Sequence, residues 1–127
     1  MKTIKLKIKS KNKTYPVFIG NNIIKKTSNY INTEIATCEK IAILIDTNVP
    51  VRFVNVLKRS LKNFNITLIK FKSTEKEKKI KNVLKIVNLL LNKRFHRNDC
   101  IIAFGGGIVG DVGAFTASVI KRGIKFV

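Results

Sequence analysis

The sequence predicts an α/β fold in which an N-terminal β-hairpin precedes a parallel β-sheet with flanking helices. Three observations support this. Residues 3–9 and 14–20 are short alternating segments separated by the polar turn 11–13. After residue 40, apolar runs of strand length alternate with helix-length amphipathic segments, which is typical of a parallel sheet. The apolar run that ends at Phe104 then breaks into three consecutive glycines and is followed by another helix-length segment.

The elements follow one another in a simple order. We expect strands at 3–9, 14–20, 40–45, 66–71 and 100–104, helices at 21–31, 51–64, 73–91 and 107–120, and a strand that starts at Ile124. Asn21 or Asn22 is the predicted N-cap of the first helix, and Ser73 or Thr74 opens the third. The first strand should be half-buried, with Ile4, Leu6 and Ile8 on its inner side. Pro16 argues for an edge position in the second strand.

The charge of the chain is strongly positive, at +19, but its distribution does not favour a nucleic-acid binder. The 21 lysines, 19 isoleucines and 13 asparagines are what an AT-rich coding sequence would produce. No basic stripe with interleaved aromatics and no helix-turn-helix or RNP-type pattern appears. We therefore expect no specific nucleic-acid partner, although weak binding to polyanions at low salt remains an alternative.

The other composition signals exclude several classes of site. Cys38 and Cys100 form no CxxC pair and have no nearby histidine, so neither a zinc site nor a redox motif is indicated. His96 lies in a polar turn and is expected to be solvated. No apolar run approaches membrane-spanning length, and the N-terminus lacks the apolar stretch of a signal peptide. These features predict a reduced, cytoplasmic protein without a membrane partner.

The few carboxylates are concentrated where a parallel sheet binds its ligands. Four of the seven acidic residues follow predicted strands: Asp46, Glu75, Glu77 and Asp111. Ligands of such sheets lie outside the carboxyl ends of the strands, where a carboxylate can accept both ribose hydroxyls. Each acid also has a plain structural interpretation, as an Asx-type turn for Asp46 and as a helix-start acid for the others.

The glycine-rich stretch 105–111 is the strongest candidate for a phosphate-binding loop. Gly105, Gly107 and Gly110 satisfy G-x-G-x-x-G, and strand, glycine turn and helix together direct backbone N–H groups at a phosphate. A tight turn between a buried strand and a helix is the alternative interpretation. In the familiar dinucleotide fold the ribose-binding acid follows the loop, whereas here Asp46 precedes it, so this nucleotide site would have a different chain order.

These motifs resemble those of the 3-dehydroquinate synthase family. The resemblance is carried by the segments 15–20, 45–49, 75–78 and above all 104–117, with Arg122-Gly123 after them. It covers the whole chain but only the N-terminal, NAD-binding part of that family, so it implies a Rossmann-like domain over residues 1–127 without the helical metal- and substrate-binding domain. Related polyol and iron-containing dehydrogenases usually carry a lysine shortly after the motif aspartate, and residues 112–120 contain none. Deoxy-inosose cyclases and a non-catalytic nucleotide-binding module stay open as alternatives.

The resemblance implies an enzyme that uses NAD transiently to convert 3-deoxy-arabino-heptulosonate 7-phosphate, a small sugar phosphate, into 3-dehydroquinate and phosphate. It implies one substrate-binding residue, Arg122, and a cofactor-binding set: Asp46, Asn48, Ser73, Thr74, Glu75, Lys76, Glu77, Lys78, Gly105, Gly106, Gly107, Ile108, Val109, Gly110 and Asp111. It also implies a homodimer and a zinc or cobalt ion in the full-length enzyme, with no catalytic or metal-binding residue in this part.

The chain also departs from the family pattern. Ser73-Thr74 replaces the usual small glycine before Glu75, and Ala114 stands where the family usually has glycine. The threonine pair that normally follows the last strand and the metal ligands and catalytic lysines of the second domain are absent. We therefore expect either a fragment of a longer protein or a truncated, inactive product.

Overall fold

The computed structural model describes residues 2–127 and contains an antiparallel hairpin and a four-stranded parallel sheet. The strands are β1 (Ile4–Lys9), β2 (Thr14–Ile19), β3 (Lys40–Asp46), β4 (Asn65–Phe71), β5 (Cys100–Phe104) and β6 (Lys125–Phe126). The helices are α1 (Thr27–Glu34), α2 (Val51–Ser60), α3 (Ile80–Asn92) and α4 (Gly107–Val119). The parallel sheet has the order β4-β3-β5-β6. The predicted fold class is confirmed.

The parallel sheet is covered on both faces because its central strands are apolar at every position. Successive β3 residues point to opposite faces, so one core contains Ala42 and Leu44 and the other contains Ile41, Ile43 and Ile45. The first core packs against α3 and α4, and the second packs against α1 and α2. Burial on both faces explains why β3 reads as a continuous apolar run instead of an alternating one.

The hairpin differs from the prediction in the direction that its apolar side faces. Ile4, Leu6 and Ile8 are 49%, 43% and 38% exposed, so they are not packed against the core. The opposite face contacts α1, because the Phe18 ring stacks on Tyr30 with centroids 4.0 Å apart. Lys5 pairs with Glu34 on the same side, at 3.3 Å. The alternation was a correct sign of a strand but a wrong sign of which face is covered.

Helix boundaries also differ from the predicted ones. Asn22 has a left-handed backbone (φ 58°) and provides no side-chain cap, and a 3-10 turn over Ile23–Lys26 precedes α1. Ser73 and Thr74 do not open α3: a 3-10 turn over Glu75–Glu77 intervenes, and the helix begins at Ile80. The predicted capping arrangement at 73–77 is therefore wrong, because those residues form a separate connection between β4 and α3.

Candidate nucleotide-binding site

Three connections meet at the carboxyl edge of the parallel sheet. Asp46, the last residue of β3, pairs with Phe71 at the end of β4, and Ile45 pairs with Phe104 at the end of β5. Residues 41–45 and 100–104 are therefore direct neighbours in one parallel sheet, as predicted. The turns that contain Asp46, Ser73 and the glycine loop follow these three strand ends and lie along one edge.

Asp46 is held at this edge by its own turn. Its side chain is largely buried, at 9% exposure, and its Oδ1 accepts a hydrogen bond of 2.8 Å from the Asn48 backbone N–H. The Asx-type turn that the sequence offered as an alternative is thus present. It occupies one carboxylate oxygen and leaves the second oxygen, Oδ2, without an assigned hydrogen bond. The Asn48 residue itself is exposed at the mouth of the turn.

The first glycine of the loop packs directly against Asp46. Gly105 has φ +155°, and a Cβ built there would lie 2.5 Å from the Asp46 Cβ and 2.8 Å from the Val109 Cγ1. No side chain fits between these atoms, so glycine is required by the contact between the loop and the carboxylate. Sequence reasoning had assigned this glycine to a ligand and missed the contact, for which the sequence carries no signal.

The remaining glycines leave open space above the start of α4. Cβ atoms built on Gly106, Gly107 and Gly110 would meet no atom within 4 Å. The helix begins at Gly107, its N-cap Gly106 provides no side-chain cap, and its first turn contains no acid. Unpartnered N–H groups at a helix start attract anions, and here no side chain stands in front of them. The surface therefore fits a diphosphate, which must approach the backbone closely.

The other loop residues are divided between the core and the surface. Val109 is fully buried and Ile108 is partly buried against the same core, so these two residues can offer a ligand only their backbone. Asp111 lies in the second turn of α4, which rules out the helix-start role considered from the sequence. Its Oδ2 accepts a hydrogen bond of 2.7 Å from the Lys78 Nζ. This hydrogen bond and the negative charge of Asp111 raise the pKa of Lys78 above its ordinary value.

The Lys78–Asp111 pair stands beside a crevice between the first turns of α3 and α4. The crevice has a volume of about 430 Å³, and its walls are mainly apolar, formed by side chains that include Ile80, Val112 and Phe115. The pair joins the connection after β4 to the helix after β5, two segments 33 residues apart in the sequence. The sequence placed both residues at one edge but gave no sign that they bind each other.

The connection after β4 contains one polar group without a partner. Ser73 Oγ is buried and is the one buried side-chain oxygen or nitrogen in residues 2–127 that lacks a hydrogen bond. Glu77 is already engaged, since its Oε2 accepts a hydrogen bond of 2.7 Å from Asn82 Nδ2. Thr74 is partly buried, and Glu75 and Lys76 are exposed. Of the predicted set 73–78, Ser73 and Lys78 therefore have the most specific settings.

Arg122 is not brought to this edge. Lys125 pairs with Cys100, the first residue of β5, so the segment before β6 lies at the amino edge of the sheet. Helix α4 runs between the two edges and has 13 residues, which corresponds to about 20 Å. Lys121, Arg122 and Gly123 all have positive φ, at 50°, 60° and 105°. The predicted substrate contact of Arg122 thus lies far from the glycine loop of the same chain.

Two further findings concern the described residues as a whole. Residues 2–127 contain no group of three or more histidine, cysteine or acidic side chains that could hold a metal ion. None of the helices in this part of the chain is long and apolar enough to cross a membrane.

The comparisons with known proteins connect this geometry to a family. The family described as 3-dehydroquinate synthase N-terminal matches residues 68–127. The 3-dehydroquinate synthase of Pelagibacter ubique is 41% identical over 127 residues, which is 100% of this chain and 34% of that protein. The Clostridium botulinum enzyme of the same name is 38% identical over 119 residues, covering 92% of this chain and 34% of that protein. The chain thus spans about a third of the length of these relatives.

Solved structures resemble the chain in fold. A 2-deoxy-scyllo-inosose synthase complexed with carbaglucose-6-phosphate, NAD+ and Co2+ superposes with a TM-score of 0.87 at 20% identity, covering 97% of this chain and 34% of that one. An NADH-dependent butanol dehydrogenase from Thermotoga maritima gives a TM-score of 0.69 at 15% identity, covering 84% of this chain and 30% of that one. By sequence, the chain belongs to the 3-dehydroquinate synthase family and matches its N-terminal part.

Proposed function

We propose that this chain is the NAD-binding N-terminal part of a 3-dehydroquinate synthase. The observation that carries the proposal is the open glycine surface at Gly106, Gly107 and Gly110, beside the free oxygen of Asp46. In the proposed complex the start of α4 binds the pyrophosphate, and Asp46 Oδ2 accepts from the adenosine ribose hydroxyls. The exposed residues from Asn48 and the 73–78 connection line the nucleotide, and Asp111 and Lys78 lie toward the nicotinamide.

The chemistry of the full-length enzyme needs more than this chain supplies. NAD, when bound, provides reversible hydride transfer with a substrate alcohol. The proposed overall reaction converts 3-deoxy-arabino-heptulosonate 7-phosphate into 3-dehydroquinate and phosphate. The residues of this chain bind and orient the dinucleotide, and we expect the chain alone to be inactive. A homodimer, a cytoplasmic location, a zinc or cobalt ion and the substrate contact of Arg122 complete the proposal, and all four come from the resemblance.

A related sugar phosphate cyclase is the second candidate, supported by the fold likeness to the inosose synthase. Phosphate release by the full-length protein should be measured with NAD and a divalent metal, using either 3-deoxy-arabino-heptulosonate 7-phosphate or glucose 6-phosphate. Release from the heptulosonate alone would support the first candidate, and release from the hexose alone would support the second. Calorimetric titration of NAD provides the independent test of the binding site. A protein that binds NAD but releases no phosphate from either substrate would fit the non-catalytic module.

A further inference from the structure

The order of the strands arranges the candidate site along one line. From the middle of the sheet outward, the carboxyl edge presents the glycine loop after β5, Asp46 at the end of β3 and Ser73 after β4. With the pyrophosphate at the glycine loop and the ribose at Asp46, the next group outward is the adenine base. Ser73 lies where that base would be placed, and this inference therefore rests on the proposed function.

The setting of Ser73 is unusual for a serine in a folded protein. Its Oγ is buried and lacks a hydrogen-bond partner in the described part of the chain. A shielded hydroxyl without a partner is disfavoured, and such atoms often mark a place where a ligand completes the bonding. The Thr74 N–H is bonded to the Lys72 carbonyl at 2.9 Å, so the backbone on either side of Ser73 is fixed. Rotation about the single side-chain torsion is then sufficient to redirect the hydroxyl.

We infer that Ser73 Oγ forms a hydrogen bond to the amino-bearing edge of adenine and thereby selects adenine over other bases. A serine hydroxyl can accept from the 6-amino group and donate to a ring nitrogen, so it suits this edge. Hypoxanthine carries an oxygen in place of the amino group and a protonated neighbouring nitrogen, which reverses the pattern of donors and acceptors. The Asp46 carboxylate and the glycine loop contact ribose and phosphate, so neither can provide this discrimination.

The test compares two ligands that differ only in the base. ADP-ribose and its hypoxanthine counterpart, inosine diphosphate ribose, are titrated calorimetrically into the full-length protein and its Ser73→Ala variant. We expect the parent protein to prefer ADP-ribose by about five-fold, the scale of one hydrogen bond, and Ser73→Ala to reduce that preference to near one. Ser73→Thr retains the hydroxyl and should keep most of the preference. Ser118→Ala, which removes an exposed hydroxyl from α4, is the matched control and should change neither affinity.

A second readout separates ligand recognition from a structural role. Because Ser73 Oγ has no partner in the free protein, Ser73→Ala should leave the thermal midpoint of the free protein unchanged or higher. A serine that stabilises the connection would lower it instead. An unchanged ligand preference in Ser73→Ala, or a loss of stability without a change of preference, would overturn the inference alone. If the parent protein bound neither ligand, the proposed function would fail as well.

Discussion

Gly105 and Asp46 are in contact across the carboxyl edge, with no room for a side chain between the first loop glycine and the Asp46 Cβ. The loop and the ribose-binding carboxylate thus form one packed unit before any ligand arrives. The glycines of the loop have two different roles, since Gly105 is required by packing whereas Gly106 faces open space. This difference makes their substitutions a direct comparison.

Gly105→Ala should destabilise the free protein, whereas Gly106→Ala should not. The new methyl group at 105 would overlap Asp46 and Val109 at a positive φ, so we expect a loss of about 1–3 kcal/mol in the free energy of unfolding. Gly106 has φ −89° and ψ −167°, which alanine adopts without strain, and its Cβ would meet no atom. Urea denaturation of both variants measures the difference. Equal stabilities would mean that the loop can move away from Asp46.

Gly106→Val should impair nucleotide binding more than Asp46→Ala. Valine fits the free protein but places a branched side chain where the pyrophosphate must approach, so ADP-ribose and NAD should weaken equally. Asp46→Ala removes a ribose acceptor and should reduce the binding free energy by about 1–3 kcal/mol. Calorimetric titration of both ligands into the full-length protein gives the comparison. Arg122→Ala, at the opposite edge, is the control and should bind ADP-ribose as the parent does. Parent-like binding by Gly106→Val would make the loop a plain structural turn.

Asp111→Asn should lower the pKa of Lys78 toward its ordinary value of 10.5. The raised pKa arises from the hydrogen bond and the charge of Asp111, both of which asparagine weakens. Because the pKa is raised in the folded state, the contribution of the pair to stability is present below pH 10.5 and is lost as the pH rises further. At neutral pH the variant should unfold almost like the parent, since exposed ion pairs contribute little. An NMR titration of the Lys78 side chain follows the pKa, and an identical titration in the variant would exclude this cause.

Both cysteines should resist thiol reagents in the folded protein. Burial, with smaller contributions from Asp99 and Glu39, raises the pKa of Cys38 from 9.0 to about 11, and burial raises that of Cys100 as well. The reactive thiolate is therefore scarce at pH 8. We expect a thiol-reactive reagent to label neither cysteine natively and both in denaturant. Since the unfolded thiols ionise first, stability should fall as the pH rises above 9. Rapid native labelling would indicate that the amino edge opens.

The sequence allowed the sheet and its ligand edge to be predicted because both depend on local patterns. The apolar run of β3 and the three glycines after Phe104 are visible without tertiary information. The contact between Gly105 and Asp46 was not predictable, since it joins residues 59 positions apart whose types suit other roles equally well. The start of α3 was mistaken because Ser73 and the acids after it match a capping pattern in composition only. Arg122 was grouped with the site by family likeness, which carries no information about the direction of α4.

The attachment of the hairpin through Phe18, Tyr30 and the Lys5–Glu34 pair has a consequence for folding. One aromatic stack and one exposed ion pair hold it, whereas β3 is buried on both faces. The two parts should therefore open with different free energies, so that the hairpin forms a separate local unfolding unit. Backbone amides of β1 and β2 should exchange with deuterium well before those of β3 and β5. If all four strands exchanged at one rate, the hairpin would be part of the same cooperative unit as the sheet.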